Sequence, residues 1–530
     1  MGAVTGVILT GFMGTGKTTV GRLLAKRYGL PFMDMDDEIE RVAGQSIPAI
    51  FEAAGEAGFR QLEREILQGL PPASVVATGG GALVAEGNRA LLGNGHRVLC
   101  LACDATELAE RLAGSGERPL LANWQDLLRE RDSAYASFDQ IDTTGRSPDE
   151  VAETIAQRLG LSRAGRLVFP GQRRSEVLFG RGLLDRAGSI VAGPGAEIFR
   201  SGKRASGFVV ITDENVAGLG IADRAAGSLG GSSTPVHVEV LPAGEETKCL
   251  AGLDRLYGVC RRAGLDRAGV VVGVGGGVIG DLAGFLAATY MRGVRLVLYP
   301  TTLLAQVDAA LGGKVGIDAQ GVKNLVGAFY PARAVVVDPD VLTTLEDSRL
   351  SEGLAEMTKI AIMCSPALLA GLATLREPRD ILCHPEMVRR AAEEKISVVE
   401  ADPYERGERA LLNFGHTIGH ALEQASGYRV AHGAAVAAGM VAETRLGERL
   451  GLTEAGTADQ VVNQLTRFNL PTIVPQLDLD FAFEAMLGDK KRQRGVLRFA
   501  IPERAGCGRL VPVSDVDARR ALIEATGGNP

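Results

Sequence analysis

The chain has 530 residues, room for about three or four compact units of roughly 150 residues each. Its 46% hydrophobic and 23% charged residues match an ordinary globular protein and exclude disorder as the main theme. With 57 Lys and Arg against 64 Asp and Glu, the net charge of -7 provides no basic field for nucleic acid or an anionic membrane, so anionic small molecules would need local basic pockets.

Glycine is over-used at 69 residues, which points to tight turns and backbone-lined pockets. The opening MGAVTGVILTGFMGTGKTT has no charged segment followed by a long apolar core. No later stretch reaches about 18 uninterrupted apolar residues, so a cytoplasmic protein is expected. Seven scattered cysteines form no disulfide framework. Cys100 and Cys103 make a CxxC within the apolar VLCLAC, which reads as a buried strand rather than half of a zinc site.

In chain order, strands are predicted at Val4–Leu9, Ser74–Thr78 and Arg97–Leu101, with helical stretches at Thr19–Tyr28, Asp37–Ala43 and Phe59–Leu70. That alternation implies a parallel α/β sheet. Between Leu161 and Arg174 the basic SRAGRLVFPGQRR, broken by Gly and Pro, is expected to be a linker. A second α/β series follows, with strands at Gly207–Thr212, Val236–Leu241, Gly269–Val274, Arg295–Pro300 and Ala334–Asp338. After Thr343 strand signals thin, and Leu350–Met363, Met387–Ala401 and Ala434–Leu450 show helical spacing. The expected organisation is an α/β domain over residues 1–162, a linker over 163–174, a second α/β domain over 175–343 and a mainly helical domain over 344–530.

Gly11-Phe-Met-Gly-Thr-Gly16-Lys17-Thr18 fits G-x-x-x-x-G-K-[ST] between a strand and a helix, the context this motif requires. Around Gly14, Thr15 and Gly16 the backbone N–H groups can close on phosphate oxygens, and the helix N-terminus beginning near Thr19 adds partial positive charge. Lys17 reaches the β and γ phosphates, and Thr18 can ligate Mg²⁺. Asp34 and Asp36 are expected on one side of an extended segment, where they could serve Mg²⁺ and a substrate hydroxyl; Asp37 and Glu38 read as acids at a helix N-terminus. Arg60, the triple glycine Gly79–Gly81, Arg118, Arg131 and Arg146 follow. The guanidinium fork suits carboxylate and phosphate, although any one of these arginines alone is more often a solvated charge.

With these motifs, residues 1–160 resemble shikimate kinase. The resemblance implies a P-loop parallel-sheet domain that binds ATP through Gly14 to Thr19, with Thr18 and Asp34 on Mg²⁺. Shikimate would be held by Asp36, Arg60, Gly80 and Arg131. Asp36 would orient or deprotonate the 3-hydroxyl, while Lys17 and Arg118 would stabilise the transferring phosphoryl group. Leu112–Trp124 resembles a mobile lid carrying Arg118 to the ATP phosphates, with Arg111 and Arg146 near the adenine end. One departure stands in RDSAY, where Ser133 replaces the proline expected two residues after Arg131.

Three of the six histidines, His416, His420 and His432, fall within 17 residues. His416 and His420 sit at i,i+4 and share a helix face, as metal ligands or substrate contacts could; spacing does not choose between the roles. Upstream, Gly275-x-Gly277-x-x-Gly280 directly follows a strand and permits close approach to a pyrophosphate. Arg292 and Arg295 occupy the region where an acidic residue is usual, so a standard dinucleotide fingerprint is weak.

Together, GGGVIGDLAGF, YPTTLLAQVDAALGGKVGID, GVKNLVGAFY, GLAEMTK, ALLNFGHTIGHALE and HGAAVAAGM resemble 3-dehydroquinate synthase over residues 175–520. The likeness implies an NAD-binding α/β half, a helical half and a divalent metal between them, zinc or alternatively cobalt. By position, Glu356, His416 and His432 would be the metal ligands and His420 a substrate or proton-relay residue. Asp213, Glu245, Lys248, Gly276, Gly277, Asp281, Thr301, Thr302 and Thr344 would surround NAD. Substrate contacts would come from Asp308, Lys314, Lys323, Asn324, Lys359, Lys395, Arg409, Asn413 and one of Lys490 and Lys491, with Lys314, Lys359, Arg409 and His420 in the chemistry. The implied reaction on 3-deoxy-D-arabino-heptulosonate 7-phosphate is transient oxidation at C5, loss of phosphate, return of the hydride and closure to 3-dehydroquinate. Ala434 departs from the family's HGEAV and removes a carboxylate near a metal histidine.

The expected whole is a fused, two-activity enzyme of the shikimate pathway with small-molecule substrates and no nucleic-acid or membrane partner; a homodimer through the synthase region is an allowed assembly. The alternative is a nucleotide-sensing P-loop module fused to a metal-dependent polyol dehydrogenase. Asp36, Arg60 and Arg131 disfavour the sensor, and Lys314, Lys323 and Arg409 disfavour the dehydrogenase, because a neutral alcohol needs no phosphate pocket.

Overall fold

The computed structural model describes residues 6–28, 31–70, 74–92, 96–113, 124–159, 162–167, 175–186, 188, 191, 205–229, 234–475, 477–488 and 497–528. They fall into two compact units, one of residues 1–162 with 185–204 and one of residues 163–184 with 205–530.

The first unit alternates strand and helix: β1 (Gly6–Thr10), α1 (Lys17–Tyr28), β2 (Phe32–Asp34), α2 (Met35–Ala43), α3 (Ile47–Gln68), β3 (Val75–Ala77), β4 (His96–Ala102), α4 (Ala105–Ala113), α5 (Trp124–Ala136), β5 (Asp139–Asp142) and α6 (Pro148–Arg158). The strands form a five-stranded sheet in the order β2-β3-β1-β4-β5, parallel throughout. β1 and β3 are buried along their whole length, as strands covered on both faces must be, and so read as unbroken apolar runs. Helix α3 starts well before the predicted Phe59 because it continues through a kink at Gly55, whose φ of 67° only glycine adopts readily. Cys100 is buried in β4 and Cys103 partly buried, both as free thiols.

One local expectation is corrected here. Asp34 and Asp36 do not share an extended segment: β2 ends at Asp34, which caps α2 by accepting the Asp36 N–H at 3.1 Å, and Asp36 lies in the first helical turn. A carboxylate that satisfies an orphan helix N–H stabilises the helix start over a longer strand.

In the second unit, β6 (Ser162–Leu167) falls within the stretch expected as a linker. It is followed by β7 (Ser175–Phe179), β8 (Phe208–Asp213), β9 (Val236–Leu241), α7 (Leu250–Arg262), β10 (Val270–Gly275), α8 (Gly277–Thr289), β11 (Arg295–Pro300), the hairpin β12 (Lys314–Ala319) and β13 (Val322–Phe329), and β14 (Ala334–Val337). The main sheet has the order β6-β7-β14-β11-β10-β8-β9, with parallel pairing from β7 to β9. The segment expected as a linker thus carries an edge strand at residues 162–167, since Gly and Arg do not prevent such a strand from pairing on one side.

The remaining chain supplies α9 (Asp347–Cys364), α10 (Pro385–Ala401), α11 (His416–Ala425), α12 (His432–Arg449), α13 (Thr457–Arg467), the antiparallel hairpin β15 (Leu497–Arg504) with β16 (Cys507–Val513), and α14 (Asp515–Ala525). That hairpin was not expected in a helical region. A single hydrophobic core joins Val271 and Leu298 of the sheet to Met357 and Ile360 of α9 and to Val436 and Met440 of α12. Each such fully buried side chain contributes about 1.5–3 kcal/mol, so the groove between sheet and helices is held by shared packing. No helix among the described residues is long and apolar enough to cross a membrane.

Helices α11 and α12 approach until glycine faces glycine: a Cβ on Gly439 would stand 2.1 Å from the carbonyl oxygen of Gly415. The fully buried Glu443 of α12 accepts the Gly415 N–H at 2.8 Å, capping the N-terminus of α11 and placing His416, its first residue.

Candidate active sites

In the first unit, the turn from Gly11 to Thr18 links β1 to α1, with Gly11, Gly14 and Gly16 all at positive φ. The Lys17 ammonium donates to the carbonyls of Gly11 at 2.9 Å and Phe12 at 2.8 Å, so it spans the mouth of its own loop. Thr18 Oγ1 donates to Asp34 Oδ2 at 2.7 Å, which joins a hydroxyl and a carboxylate beside the loop. Thr15 Oγ1 turns away and donates to the Phe12 carbonyl at 2.8 Å, while Thr19 is exposed in the first turn of α1.

The triple glycine brings the expected substrate residues together. A Cβ on Gly81 would lie 2.8 Å from both terminal nitrogens of Arg60, one on Gly79 would lie 3.0 Å from Asp36 Oδ1 and 3.1 Å from Glu63 Oε1, and one on Gly80 would lie 3.6 Å from Arg131 Nη1. Any side chain there would fill the space over which two arginines and two carboxylates converge. Arg60 pairs with Glu63 at 2.6 Å and Glu56 at 3.0 Å. Burial raises the pKa of Glu63 despite Arg60, and Asp36 adds to the rise. Tyr135, one turn after Arg131, donates to the Gly80 carbonyl at 2.5 Å and fixes that floor. Glu63 and Tyr135 went unnoticed in the sequence, although Arg60 and Glu63 at i,i+3 on one helix were a usable signal. Arg111 bonds Glu107 and the Thr143 carbonyl, and Arg146 bonds the carbonyls of Asp142 and Glu150, which ties both to the β5–α6 corner. Arg118 and most of the expected lid lie outside the described residues.

In the second unit, a cleft of about 2470 Å³ is lined by Asp213, Glu245, Lys248, Gly276, Gly277, Asp281, Thr301, Thr302 and Thr344, and also by Lys314, Lys323, Asn324, Asn413, His420 and His432. The first set was expected around NAD and the second around substrate, apart from His432, expected on the metal, and both sets share one space. Buried Lys248 is the hub of the first set, with Asp281 at 2.8 Å, Glu245 at 3.4 Å and Asn324 Oδ1 at 2.5 Å. Burial works against its charge, but Asp281 and then Glu245 raise its pKa. Asn324, expected against substrate, is therefore held on the Lys248 side. Asp213 caps the short helix after β8 by accepting the Val216 N–H, and Thr302 caps the one after β11.

Deeper, three elements bring a carboxylate and two imidazoles to one point. Glu356 Oε1 of α9 stands 3.4 Å from His416 Nε2 of α11 and 3.2 Å from His432 Nε2 of α12, and all three ligand atoms lie within 4.8 Å of one another. This donor set could hold a cation. His420 is close, its ring 5.4 Å from that of His416, but does not reach Glu356 in this cluster. Burial and then Lys359 push His416 down to about 4. His432 goes the other way: burial opposes its charge, but bonds to Glu356 and Glu423 push it up to about 10.

Beside the trio is a basic cluster already paired with acids. Asp308 accepts from Lys359 at 2.7 Å and Lys395 at 2.5 Å, and Lys359 also pairs with Glu356. Burial alone would raise Asp308, but Lys359 and Lys395 hold it low. Burial pushes Lys395 down to about 8, helped by Lys359 and Arg409 and opposed by Asp308. Arg409 donates to the carbonyls of Gly312 and Pro403, while Glu405 takes Lys314 and Asn413. Lys490 and Lys491 lie outside the described residues. Glu405 had no sequence signal. Glu423 had one: it follows His416 by seven residues and His420 by three, on the same helix face.

The profile described as shikimate kinase matches residues 13–160, that described as 3-dehydroquinate synthase N-terminal matches 238–352, and its C-terminal counterpart matches 353–492. A bifunctional shikimate kinase/3-dehydroquinate synthase of Thermotoga maritima is 36% identical over 92% of this chain and 94% of its own. The chain belongs to this bifunctional family. It is a shikimate-pathway enzyme of two activities, kinase and synthase, acting on small molecules of that pathway, and the sensor–dehydrogenase alternative is not favoured. The 3-dehydroquinate synthase of Symbiobacterium thermophilum is 41% identical over 67% of this chain and 98% of its own. A solved 2-deoxy-scyllo-inosose synthase complexed with carbaglucose-6-phosphate, NAD+ and Co2+ matches at 25% identity and a TM-score of 0.59, covering 68% of this chain and 99% of that one.

Proposed function

We propose that the two activities are carried by separate sites, a kinase site in residues 1–162 and a synthase site shared between an NAD-binding half, 175–343, and a metal- and substrate-binding half, 344–530. In the kinase site the Gly14–Thr19 backbone and Lys17 take the ATP phosphates, with Thr18 and Asp34 around Mg²⁺, which would neutralise phosphate charge when bound. Arg60 and Arg131 grip the shikimate carboxylate across Gly80, and Asp36 receives the proton of the 3-hydroxyl as it attacks the γ-phosphorus.

The observation that carries the synthase reading is the spacing of its donor trio. A tetrahedral zinc with bonds of about 2.0–2.1 Å holds ligand atoms about 3.3 Å apart; Glu356 Oε1 stands 3.2 and 3.4 Å from the two imidazole nitrogens. We assign Glu356, His416 and His432 to zinc, which when bound polarises substrate oxygen, and the Gly276–Gly277 turn with Asp281 to NAD, which supplies reversible hydride acceptance. The open glycine turn, a Cβ on Gly276 meeting Thr302 at 3.1 Å, fits a group pressed against the backbone there. Lys359, Lys395, Arg409 and Lys314 hold the carboxylate and phosphate of 3-deoxy-D-arabino-heptulosonate 7-phosphate, and Asn413 and His420 orient its hydroxyls. Seven free cysteines suit the reducing cytoplasm.

Two assays on one preparation test the reading: ADP formation from shikimate and Mg-ATP, and phosphate release from the heptulosonate phosphate with NAD⁺ and Zn²⁺. Both should proceed, the second without net NADH. Absence of either in folded protein, or NADH accumulation, refutes the corresponding half.

A further inference from the structure

We infer that Glu423 is the positioning residue of the metal site, taking the Nδ1 proton of His432 so that Nε2 faces the point shared with Glu356 and His416. The inference rests on the metal assignment above. His432 has both ring nitrogens engaged, Nε2 3.2 Å from Glu356 Oε1 and Nδ1 3.4 Å from Glu423 Oε2. His416 is arranged in parallel: its Nδ1 lies 3.1 Å from the Phe414 carbonyl and its Nε2 3.4 Å from the same Glu356 oxygen. A carbonyl and an ionised carboxylate can only accept, so each Nδ1 turns its proton to its outer partner and each Nε2 faces the shared point, where a bound cation would take the place of any proton that Nε2 donates to Glu356.

Such outer partners set ring orientation and raise the basicity of a ligand. Glu423 is only 5% exposed, and Lys323 at 3.9 Å offsets its charge. It comes from α11, so one helix carries a ligand, His416, at its start and the partner of the other ligand near its end.

The test uses the full chain stripped of metal and titrated with Zn²⁺ against a competing fluorescent chelator, with Co²⁺ as a spectroscopic probe. Glu423→Ala should bind Zn²⁺ about 10–100-fold more weakly and shift the visible Co²⁺ band, with NAD⁺ affinity and thermal unfolding unchanged and phosphate release recovered by excess Zn²⁺. Glu423→Gln, whose amide oxygen still accepts from Nδ1–H, should lose less. Zn²⁺ affinity in Glu423→Ala within about threefold of the parent chain overturns the proposal. Joint loss of Zn²⁺ and NAD⁺ binding in Glu423→Ala also overturns it, because that marks a structural role. His432→Ala separates this from the underlying reading. If it binds Zn²⁺ like the parent, the metal assignment is wrong; if it fails to bind while Glu423→Ala binds normally, only the role of Glu423 falls.

Discussion

Gly439→Ala tests how strictly the α11–α12 contact sets the metal site. The added methyl would sit 2.1 Å from the Gly415 carbonyl oxygen, 2.9 Å from its carbon and 3.1 Å from the Gly419 nitrogen, all backbone atoms that cannot rotate away. Real Cβ contacts essentially never fall below 3.0 Å, so the helices must part by about 0.9 Å. Overpacking of this kind costs about 1–3 kcal/mol, enough to lower the unfolding temperature of this unit by several degrees. The larger effect falls on the ligands. His416 and His432 lie on the two helices being separated, and metal–ligand distances tolerate only about 0.2 Å. We expect Zn²⁺ affinity to fall more than about tenfold and phosphate release to fall with it at limiting metal, while ADP formation from shikimate stays at the parent rate. Chelator competition, both turnover assays and calorimetry on one preparation measure all four quantities. Parent-like Zn²⁺ affinity and turnover in Gly439→Ala would show that the two histidines are not held by this contact.

Lys17→Ala should cut ADP formation by about 10²–10³-fold or more and leave phosphate release intact, as loss of a charge aimed at the transferring group does; equal loss of both activities in folded protein counts against independent sites. His416→Ala should abolish stoichiometric Zn²⁺ binding and synthase turnover alone, and one metal per chain measured by elemental analysis would remove His416 from the ligand set. Lys395, with its pKa pushed down to about 8, is charged below that pH and neutral above it. KM for the heptulosonate phosphate should therefore rise from pH 7 toward 9, and Lys395→Arg should flatten the rise because a guanidinium stays charged; a pH-independent KM in the parent chain sinks this assignment.

Central strands were legible because burial on both faces leaves an unbroken apolar text, as in Val270–Val274. The hairpin β15–β16 was not, since Arg498, Glu503, Arg504 and Arg509 interrupt its pattern while its partner strand supplies the pairing. The Asp34–Asp36 pair misled for a related reason: two residues apart reads as one face of a strand, but a capping bond ends the strand between them. The i,i+4 spacing of His416 and His420 put both on one helix face, yet Glu356, 60 residues before His416, meets His416 and His432 rather than His420 only through the crossing of α9, α11 and α12. Tertiary placement of that kind has no local signature.

The acids paired with the expected anion-binding cations were the largest omission, and they change the electrostatic argument. In isolation each lysine reads as a waiting positive charge, but a buried unpaired ammonium would be costly, so the fold gives buried Lys359 and Lys395 to Asp308, while exposed Lys314 pairs with Glu405. At the core of the site Lys359 and Lys395 face Asp308 and Glu356, and Arg409 lies near Glu405, Asp308 and Asp402, so these cations are largely balanced by the protein's own carboxylates. A substrate bearing both carboxylate and phosphate brings about three negative charges at neutral pH. On the zinc assignment, a divalent cation at Glu356 adds two positive charges and would also release Lys359 from Glu356. Substrate affinity and metal loading are then coupled by charge balance, so equilibrium dialysis of the heptulosonate phosphate should give weaker retention by metal-stripped protein than by Zn²⁺-loaded protein, even without turnover.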